Sequence, residues 1–469
     1  IAHWIRTFIE ADDAGMHFHL RAEGPQSDRG CGQRLSLYAG NELRCPVASW
    51  WLQPPIRSVE DHVPAYRDLL ETLCRRYRIG RIIVSSLIGH SLDALRTGRP
   101  TLQVLHDHFP LWPLLSVHPE PWLRDDRPVD IAGALTGAAG KMEFTDKDAR
   151  AWADIRQSYL RSLSDHGVTI VAPGQSVLDM QCRLEPAFAE QDVRVIPHGS
   201  PAGAGRHAVV PRPREDGRLR LVILGRIQAG KGQQLLLEAM QELAGLAQVY
   251  LVGSGKSGEK VFAIDGVDII LQYTPEELPG IMESIGPDVA ALLSVVPETF
   301  SNTLSELQSM GIPTIATRVG SFPERIAHGE TGWLIEPGPQ ALVGQVAALS
   351  SSPADIEEVR SALRTVKVPT IGAMQEAYEH TLPPARAEPF IPAQPGELQT
   401  QFAASAYLLT RSEQALESHA EQIADLRDEL ETRTESLSRE IEIRSEWALD
   451  VQRQLAREHE VRTDVERGL

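Results

Sequence analysis

The stretch PETFSNTLSELQSMGIPTIAT, residues 297–317, carries two glutamates, Glu298 and Glu306, on either side of a predicted helix start. The apolar run VAALLS before it predicts a buried strand, and TLSELQSM has the pattern of a helix that ends at Gly311. Glu298 is therefore expected in the loop at the end of a strand, and Glu306 one or two turns into the helix. Taken alone, two acids at this spacing also fit a solvated loop and helix, so the surrounding sequence has to decide.

Apolar runs of strand length surround this stretch and alternate with helical patterns. After residue 217 they are LRLVILG, AQVYLVG, VDIILQ, VAALLS, PTIAT and GWLIE; before residue 200 they are GMHFHLRAEG, RIIVSSLIGH, PTLQVLHDH, GVTIVAPG and DVRVIPHG. A Pro-, Gly- and Arg-rich segment, residues 200–217, separates the two series. The pattern predicts two doubly wound, Rossmann-like α/β domains, residues 1–210 and 211–381, which face each other across a cleft.

The composition changes at the end of the chain. Residues 382–396 are Pro-rich and predict an extended linker. Apolar residues then recur every seven positions over residues 397–469, at Leu409, Leu416, Ile423, Leu430 and Leu437. This heptad position predicts a long helical coiled coil that self-associates, and the alternative is a lone amphipathic helix packed on the second domain.

Composition narrows the class of protein. The 469 residues carry a formal net charge of −18, which disfavours nucleic acid as a partner because phosphate backbones select basic surfaces. We expect no signal peptide, and no apolar run in these residues is long enough to span a membrane, so at most peripheral membrane contact is expected. The four cysteines form no CxxC pair, and we predict no metal site. Because the chain begins inside a helical pattern, we expect a first strand to precede Ile1.

The segment LVILGRIQAGKGQQ resembles a P-loop, with Gly225, Gly230 and Lys231 at the required spacing. A P-loop continues with Ser or Thr to bind magnesium, but this chain has Gly232 there. We therefore reject an ATPase, but the same features still predict a site for phosphate groups. A glycine turn, a helix start and two cations, Arg226 and Lys231, form a good diphosphate site. The alternative is a pair of surface charges on an ordinary strand–helix turn.

A second glycine motif, VYLVGSGKSG, places Gly253, Gly255 and Gly258 in the GxGxxG pattern. A dinucleotide fingerprint belongs at the first strand of its domain, whereas this copy follows the second predicted strand. We interpret it as a glycine turn that lets the backbone approach a nucleotide. The downstream acids, Glu276 and Glu277, fit a helix-capping context instead.

Two acid- and histidine-rich segments in the first domain are candidates for chemistry. HDHF follows a predicted strand, and His106 and His108 share one face there, so we expect His106 to contact substrate; metal binding is the alternative. FTDKDARAW contains Asp146 and Asp148 in the D-x-D pattern of some metal-binding transferases. Because it opens a helical pattern, helix capping is the better account of this pair.

The opening stretch also predicts an anion site. The backbone N–H groups of residues at the helix start, Phe300, Ser301, Asn302 and Thr303, would face the cleft. Carboxylates suit hydroxyl-rich neutral groups, which donate hydrogen bonds to them. A sugar and a ribose joined by a diphosphate combine both requirements.

Taken together, these motifs resemble the retaining glycosyltransferases of GT-B fold and GT4 type, the group 1 glycosyltransferases. The segments that carry the resemblance are LHDHFPLWP, VIPHG, LGRIQAGKG, LVGSG, GAMQEAYEH and, most specifically, residues 297–337. It covers roughly residues 1–380, and GAMQEAYEH resembles the last helix that crosses back to the first domain.

The resemblance implies a role for each candidate residue. Arg226 and Lys231 would bind the donor diphosphate, Glu298 would hold hydroxyls of the donor sugar, and Glu306 would hold the ribose. The glycine turns at Gly225, Gly253 and Gly255, with the amides of Phe300, Ser301, Asn302 and Thr303, would complete the donor site. His106 would contact the donor sugar near its anomeric carbon, with Asp107 as a helper.

The resemblance further implies a metal-independent enzyme without a cofactor, which moves a hexose from a nucleotide-diphosphate-sugar to a glycan or lipid-linked acceptor. Surface polysaccharide biosynthesis in the cytoplasm, at the inner membrane face, is the expected setting. Two alternatives stay open: a sugar-nucleotide epimerase or hydrolase of the same fold, and a non-catalytic coiled-coil scaffold with a degenerate transferase domain.

Overall fold

The structure is a computed structural model, and it describes residues 2–381 and 384–385. Within that range it leaves out residues 13–14, 24–31, 33, 41–44, 139, 141, 201–207, 213–216 and 262–263. Ile1–Pro392 form one compact unit, and both predicted α/β halves lie within it. The predicted coiled coil, residues 397–469, lies outside the described residues and stays a prediction, as does nearly all of the linker at 382–396.

The first half combines a parallel sheet with a separate antiparallel one. Its helices and strands are α1 (Ala2–Ala11), β1 (Phe18–Glu23), β2 (Arg34–Ala39), β3 (Ala48–Trp51), β4 (Val59–Glu60), α2 (Pro64–Arg76), β5 (Ile82–Val84), β6 (His90–Ser91), β7 (Thr101–Val104), α3 (Ile131–Gly137), α4 (Ala149–Asp165), β8 (Thr169–Ala172), α5 (Gln175–Leu184) and β9 (Val193–Val195). Short 3₁₀ helices lie at Leu92–Leu95, Glu120–Trp122 and Pro186–Glu190.

The parallel sheet of the first half has the order β5-β7-β8-β9, so the four predicted strands from RIIVSS to DVRV are confirmed. The prediction of a doubly wound first half is wrong for its beginning. There β1, β2 and β3 form an antiparallel sheet, with Leu20 opposite Leu37 and Leu35 opposite Trp50. A cavity of about 520 Å³ lies between β1 and β5, each at the edge of its own sheet. The strand that we expect before Ile1 would lie outside this sequence, so it stays a prediction.

The second half is a doubly wound α/β domain. Its helices and strands are β10 (Leu219–Leu224), α6 (Gln233–Leu246), β11 (Ala247–Val252), β12 (Val267–Ile270), α7 (Leu278–Ile285), β13 (Val289–Leu292), α8 (Asn302–Ser309), β14 (Thr314–Thr317), α9 (Phe322–Arg325), β15 (Trp333–Ile335), α10 (Pro339–Ser351), α11 (Pro353–Leu363) and α12 (Ile371–Thr381). Two 3₁₀ helices lie at Ala229–Lys231 and Gly255–Val261.

All six strands predicted for the second half are confirmed, and they are parallel in the order β12-β11-β10-β13-β14-β15. The central strands are fully buried, as expected for a parallel sheet covered on both faces, which explains their continuous apolar sequences. The strand order reverses between β10 and β13. Ligands bind open α/β sheets at such a switch point, beyond the carboxyl ends of the strands.

The last described helix, α12, packs on the first half although it follows the second. Its Met374 and Tyr378 share an apolar cluster with Trp4 and Phe8 of α1 and with residues of β7 and β8. Gln375 also donates a hydrogen bond to the carbonyl of Phe8 at 2.7 Å. The helix therefore ties the end of the second half to the beginning of the first. Among the described residues, no helix combines the length and apolarity needed to cross a membrane.

Candidate functional site

The two loops at the switch point bring a cation and a carboxylate together. Lys231 lies after β10 and Glu298 after β13, and Nζ of Lys231 donates a hydrogen bond to Oε2 of Glu298. The buried Oγ of Ser294 donates to the same carboxylate oxygen at 2.8 Å. The side chain of Lys231 is 46% exposed and that of Glu298 15% exposed, so the lysine remains accessible to a ligand. Two residues predicted to bind adjoining parts of one donor therefore lie side by side.

Gly232 explains why the turn after β10 departs from the P-loop pattern. Its φ of +77° lies in the left-handed region, and an added Cβ would overlap the carbonyl oxygen of Leu293 at the end of β13. The turn after β10 and the end of β13 therefore approach each other too closely for Ser or Thr at position 232. The N–H of Val295 donates to the carbonyl of Gly230 at 2.9 Å, which holds the two loops together.

Residues 297–303, which we call the donor loop, are held in place by Gly320. An added Cβ on Gly320 would overlap the backbone of Glu298, so only glycine permits this approach. The N–H of Ser321 donates to the carbonyl of Glu298 at 2.7 Å. The backbone of Glu298 is therefore fixed by the segment that follows β14, while its carboxylate accepts hydrogen bonds from Lys231 and Ser294.

Helix α8 begins at Asn302, so its first two residues are also the last two of the donor loop. Ser301 is its N-cap, and the side-chain oxygen accepts from the N–H of Leu304 at 3.3 Å. The backbone of Ser301 has a φ of +64°, which is uncommon for a residue other than glycine and marks local strain. The buried Oδ1 of Asn302 has no hydrogen-bond partner among the described residues. Phe300 is buried, so its backbone rather than its side chain is left to face a ligand.

Glu306 lies in the second turn of α8, as predicted, and is half-buried. Burial raises its pKa to about 7, and its negative charge contributes to raising the pKa of Tyr273 to about 12. Tyr273 in turn lies against Gly253, where an added Cβ would contact its ring. Glu306, Tyr273 and the glycine turn after β11 thus form one side of the candidate site.

The raised pKa of Glu306 predicts a pH-dependent stability. The folded state keeps a proton on Glu306 up to about pH 7, whereas the unfolded chain releases it near the ordinary value of 4.5. The contribution of this group to the free energy of unfolding therefore falls as pH rises between these two values. In urea denaturation, Glu306→Gln should gain stability relative to wild type over this window and show no further change above it. A difference that is constant with pH would contradict the shift.

His106 follows β7 at the carboxyl end of the first sheet and meets the donor loop. Its carbonyl accepts a hydrogen bond from Oγ1 of Thr299 at 2.9 Å, so the predicted candidates of the two halves are brought together. Burial, and then the neighbouring His198, hold the pKa of His106 well below its usual range. His106 is therefore a neutral imidazole at physiological pH.

The side chain of Asp107 stabilises the turn in which it lies. Its Oδ1 accepts from the N–H of Phe109 at 3.0 Å, and burial raises its pKa to about 6. His108 is buried in the first half, and burial lowers its pKa to about 4. Among the described residues, no hydrogen bond joins Asp107 to the donor loop, and its predicted role as a helper stays a prediction.

Several neighbours of the site were missed by sequence analysis. His198 is buried between the halves, with its ring centroid 5.0 Å from that of His106 and 5.2 Å from that of Phe300. Arg325 lies with its guanidinium carbon 4.1 Å from the centroid of the Phe300 ring. His198 lies in the segment VIPHG and Arg325 lies in residues 297–337, and both segments were quoted for the resemblance without a role for either residue. Only the folded chain brings either residue to the donor loop.

The remaining donor-site candidates lie at the same edge of the second sheet. Arg226 is exposed and makes no hydrogen bond to a described residue, so its guanidinium is available. Gly225, Gly253 and Gly255 all have positive φ, and their N–H groups donate to the carbonyls of Val252, Ile270 and Leu271. These glycines shape the turns that begin beyond β10 and β11.

The D-x-D segment is structural. Oδ1 of Asp148 accepts from the N–H of Ala151 and caps α4, as predicted, while Asp146 accepts from Ser58 and Lys147. The described residues contain no group of three or more His, Cys, Asp or Glu side chains placed to hold a metal ion. Metal independence stays a prediction.

Comparison with known proteins identifies the second half. Residues 218–352 match the family model described as glycosyl transferases group 1. The D-inositol 3-phosphate glycosyltransferase of Corynebacterium jeikeium (strain K411) is 25% identical over 283 residues, which are 54% of this chain and 65% of that protein. The enzyme of the same name from Arthrobacter sp. (strain FB24) is 28% identical over 268 residues, 54% of this chain and 56% of that protein.

Solved structures give a distant likeness. Sucrose-phosphate synthase from Thermosynechococcus elongatus has a TM-score of 0.48 at 15% identity, with 68% of this chain and 76% of that chain covered. The curated relatives named above are matched over less than two thirds of their own length. The family match covers β10 to α10 and contains Arg226, Lys231, Glu298 and Glu306. Residues 218–352 are therefore a domain of the group 1 glycosyltransferase family.

Proposed function

We propose that the protein is a retaining glycosyltransferase that moves a sugar from a nucleotide-diphosphate-sugar to a glycan or lipid-linked acceptor. The observation that carries this proposal is the contact between Lys231 and Glu298 at the switch point of the second sheet. One group suits a phosphate and its neighbour suits sugar hydroxyls. The names of the relatives, glycosyltransferases in both cases, agree with sugar transfer as the reaction class.

The arrangement suits the charge that develops in such a transfer. An acceptor hydroxyl attacks the anomeric carbon, the bond from that carbon to the diphosphate breaks, and the nucleoside diphosphate leaves with the negative charge. Lys231 and Arg226 would stabilise this charge, together with the N–H groups at the start of α8. A β-phosphate oxygen takes the proton of the acceptor hydroxyl, so neither Glu298 nor Glu306 has to act as a covalent nucleophile.

The first half would supply the wall opposite the donor. His106 reaches the donor loop through the hydrogen bond from Thr299, and its neutral ring can accept or donate one hydrogen bond to a sugar hydroxyl. Glu306, in the second turn of α8, would accept hydrogen bonds from the ribose. The acceptor would then enter between the two halves, on the same face of the sugar as the leaving diphosphate, which retains the anomeric configuration.

The wider setting is part of the same proposal. The enzyme would act without a metal, because Arg226 and Lys231 neutralise the diphosphate. It would work in the cytoplasm on a surface polysaccharide, with peripheral contact at the inner face of the membrane. Self-association would be provided by the coiled coil at residues 397–469.

Ligand-induced stabilisation tests the donor site directly. A wild-type protein that binds one of UDP, GDP, dTDP or ADP should gain about 2.7 kcal/mol of stability at a ligand concentration of 100 Kd, measured as a rise in Tm. Lys231→Ala should lose most of this gain, because it removes a cation from the diphosphate site. The absence of any shift with all four nucleotides and their sugars would favour the scaffold alternative. Release of free sugar from the donor without an acceptor requirement would favour a hydrolase.

A further inference from the structure

Arg325 has no role in the site as predicted from sequence, yet it donates hydrogen bonds to two backbone carbonyls of the donor loop. We propose that Arg325 is the positioning residue of the donor loop, which turns the backbone N–H groups of Ser301 and Asn302 toward the donor diphosphate. This inference rests on the proposed function and deepens it, because it names what orients the phosphate-binding amides.

The contacts of Arg325 all lie on one side of the loop and its helix. Nη1 donates to the carbonyl of Phe300 and, at 2.9 Å, to that of Ser301. Nη2 donates to Oγ of Ser305 at 2.8 Å and to Oε1 of Gln308 at 3.4 Å. The guanidinium also lies over the ring of Phe300. A single side chain thus fixes two successive peptide groups relative to the first turns of α8.

The direction of the amides follows from the planarity of the peptide bond. In a trans peptide the C=O of one residue and the N–H of the next point in opposite directions. Because the carbonyl of Phe300 points at Arg325, the N–H of Ser301 points away from it, and the carbonyl of Ser301 sets the N–H of Asn302 likewise. Neither of these two N–H groups donates a hydrogen bond to another of the described residues. Both are left for an external acceptor.

Arg325 also accounts for the backbone strain of the loop. Ser301 has a left-handed backbone, which is unfavourable for a residue with a Cβ. The two carbonyl hydrogen bonds to a cation and the N-cap bond to Leu304 oppose this cost. Although burial lowers the pKa of Arg325 to about 10, the side chain stays protonated at physiological pH. Its positive charge therefore lies directly behind the amides, where it favours an anion on their other side.

The neighbouring residue fixes α9, and with it Arg325, against the first half. Oε1 of Glu324 accepts from the N–H of Gln175 at 2.9 Å and Oε2 accepts from that of Ser176 at 3.0 Å. These are the first two residues of α5, whose N-cap, Gly174, has no capping side chain. Glu324 supplies the missing cap from the other half of the molecule. The donor loop is consequently aligned relative to the first half as well as to α8.

A purely structural role is the competing explanation, and Arg360 provides a matched control for it. Arg360 is a buried arginine of the same half, whereas Arg325 is half-buried, and Arg360 too donates to backbone carbonyls, those of Pro287, Asp288 and Gly311. None of these belongs to the donor loop. Replacement of either arginine by methionine should therefore lower stability, but only the change at Arg325 should alter phosphate recognition.

The test compares a nucleoside diphosphate with its monophosphate. The probe is whichever of UDP, GDP, dTDP and ADP stabilises the wild type most, together with the monophosphate of the same base, and Kd is measured by calorimetry. Arg325→Met should weaken diphosphate binding by about tenfold to a hundredfold, the loss expected for one or two hydrogen bonds to a charged group. The monophosphate Kd should change less than about threefold. Arg325→Lys, which keeps the charge but not the fork, should lie between, and Arg360→Met should bind both ligands as wild type does.

Three results would overturn the proposal. If Arg325→Met folds and binds the diphosphate as wild type does, Arg325 does not position the donor loop. Equal losses for the monophosphate and the diphosphate indicate that the arginine only supports the fold. A wild-type protein that binds none of the four diphosphates defeats the proposed function and this inference with it. If Arg325→Met does not fold, Arg325→Lys decides by the same comparison, because it too should lose affinity for the diphosphate alone.

Discussion

Replacing Glu298 with alanine is expected to lower the turnover of the donor by about a hundredfold to ten-thousandfold. The carboxylate would accept two hydrogen bonds from sugar hydroxyls, and each such bond to a charged group contributes about 1.5–3 kcal/mol. The change also removes the partner of Lys231. The measurement is release of nucleoside diphosphate from the sugar nucleotide that binds in the ligand screen. Turnover like that of wild type would remove Glu298 from the site.

Lys231→Ala should be similarly severe for a different reason, because it removes a cation from the place where charge grows on the leaving phosphate. The double variant, Glu298→Ala with Lys231→Ala, should lose less than the product of the two single effects. Residues in direct contact are seldom additive, and each single variant leaves the other charge without its partner. Independent effects that multiply would indicate that the two residues serve separate ligands.

A surface ion pair of the same half is the matched control. Arg318 and Glu336 lie beyond β14 and β15, 3.2 Å apart, with 46% and 77% of their side chains exposed. Exposed pairs contribute at most about 1 kcal/mol, so alanine at either position should leave turnover within about twofold of wild type. A large loss at this pair would show that any change of charge at this end of the sheet disturbs the reaction.

The second half was predictable because its strands are buried on both faces. Runs such as VAALL and PTIAT are short and largely apolar, so their length and composition identify them as buried parallel strands. Once the strands are known, the switch point between β10 and β13 follows from their order. Lys231 and Glu298 were predicted from the loops after these two strands, and the structure joins them by a hydrogen bond.

Pairing between distant segments was not predictable from local pattern. β1, β2 and β3 have the alternation of any strand, and nothing in their sequence indicates that they pair antiparallel with each other. Arg325 and His198 reach Phe300 only through the fold, since a residue that acts by binding carbonyls or stacking on a ring needs no motif. The sequence therefore identified candidate residues in the loops after strands, and it missed Arg325 and His198, which contact the donor loop only in the folded protein.

Gly232→Ser is expected to destabilise the protein by on the order of 3 kcal/mol or more, and not to create an ATP site. The substitution completes the sequence of a P-loop, G-x-x-x-x-G-K-S, so a degenerate ATPase would gain binding of magnesium and ATP. The structure predicts the opposite, because the left-handed backbone disfavours a Cβ and that Cβ would overlap the carbonyl of Leu293. To relieve the overlap, the turn after β10 and the end of β13 have to separate.

Urea denaturation of Gly232→Ser beside Gly245→Ser separates this clash from the general effect of a new side chain. Gly245 lies in α6, the helix that Gly232 caps, and an added Cβ there meets no atom within 4 Å. Serine at position 245 should change stability by less than about 1 kcal/mol, since the helix propensities of glycine and serine differ by only about 0.5 kcal/mol. Because the turn also positions Lys231, folded Gly232→Ser should lose nucleoside diphosphate binding that Gly245→Ser retains. If Gly232→Ser keeps full stability and binds magnesium and ATP, this turn is instead a P-loop. The proposed diphosphate site would then bind a nucleoside triphosphate.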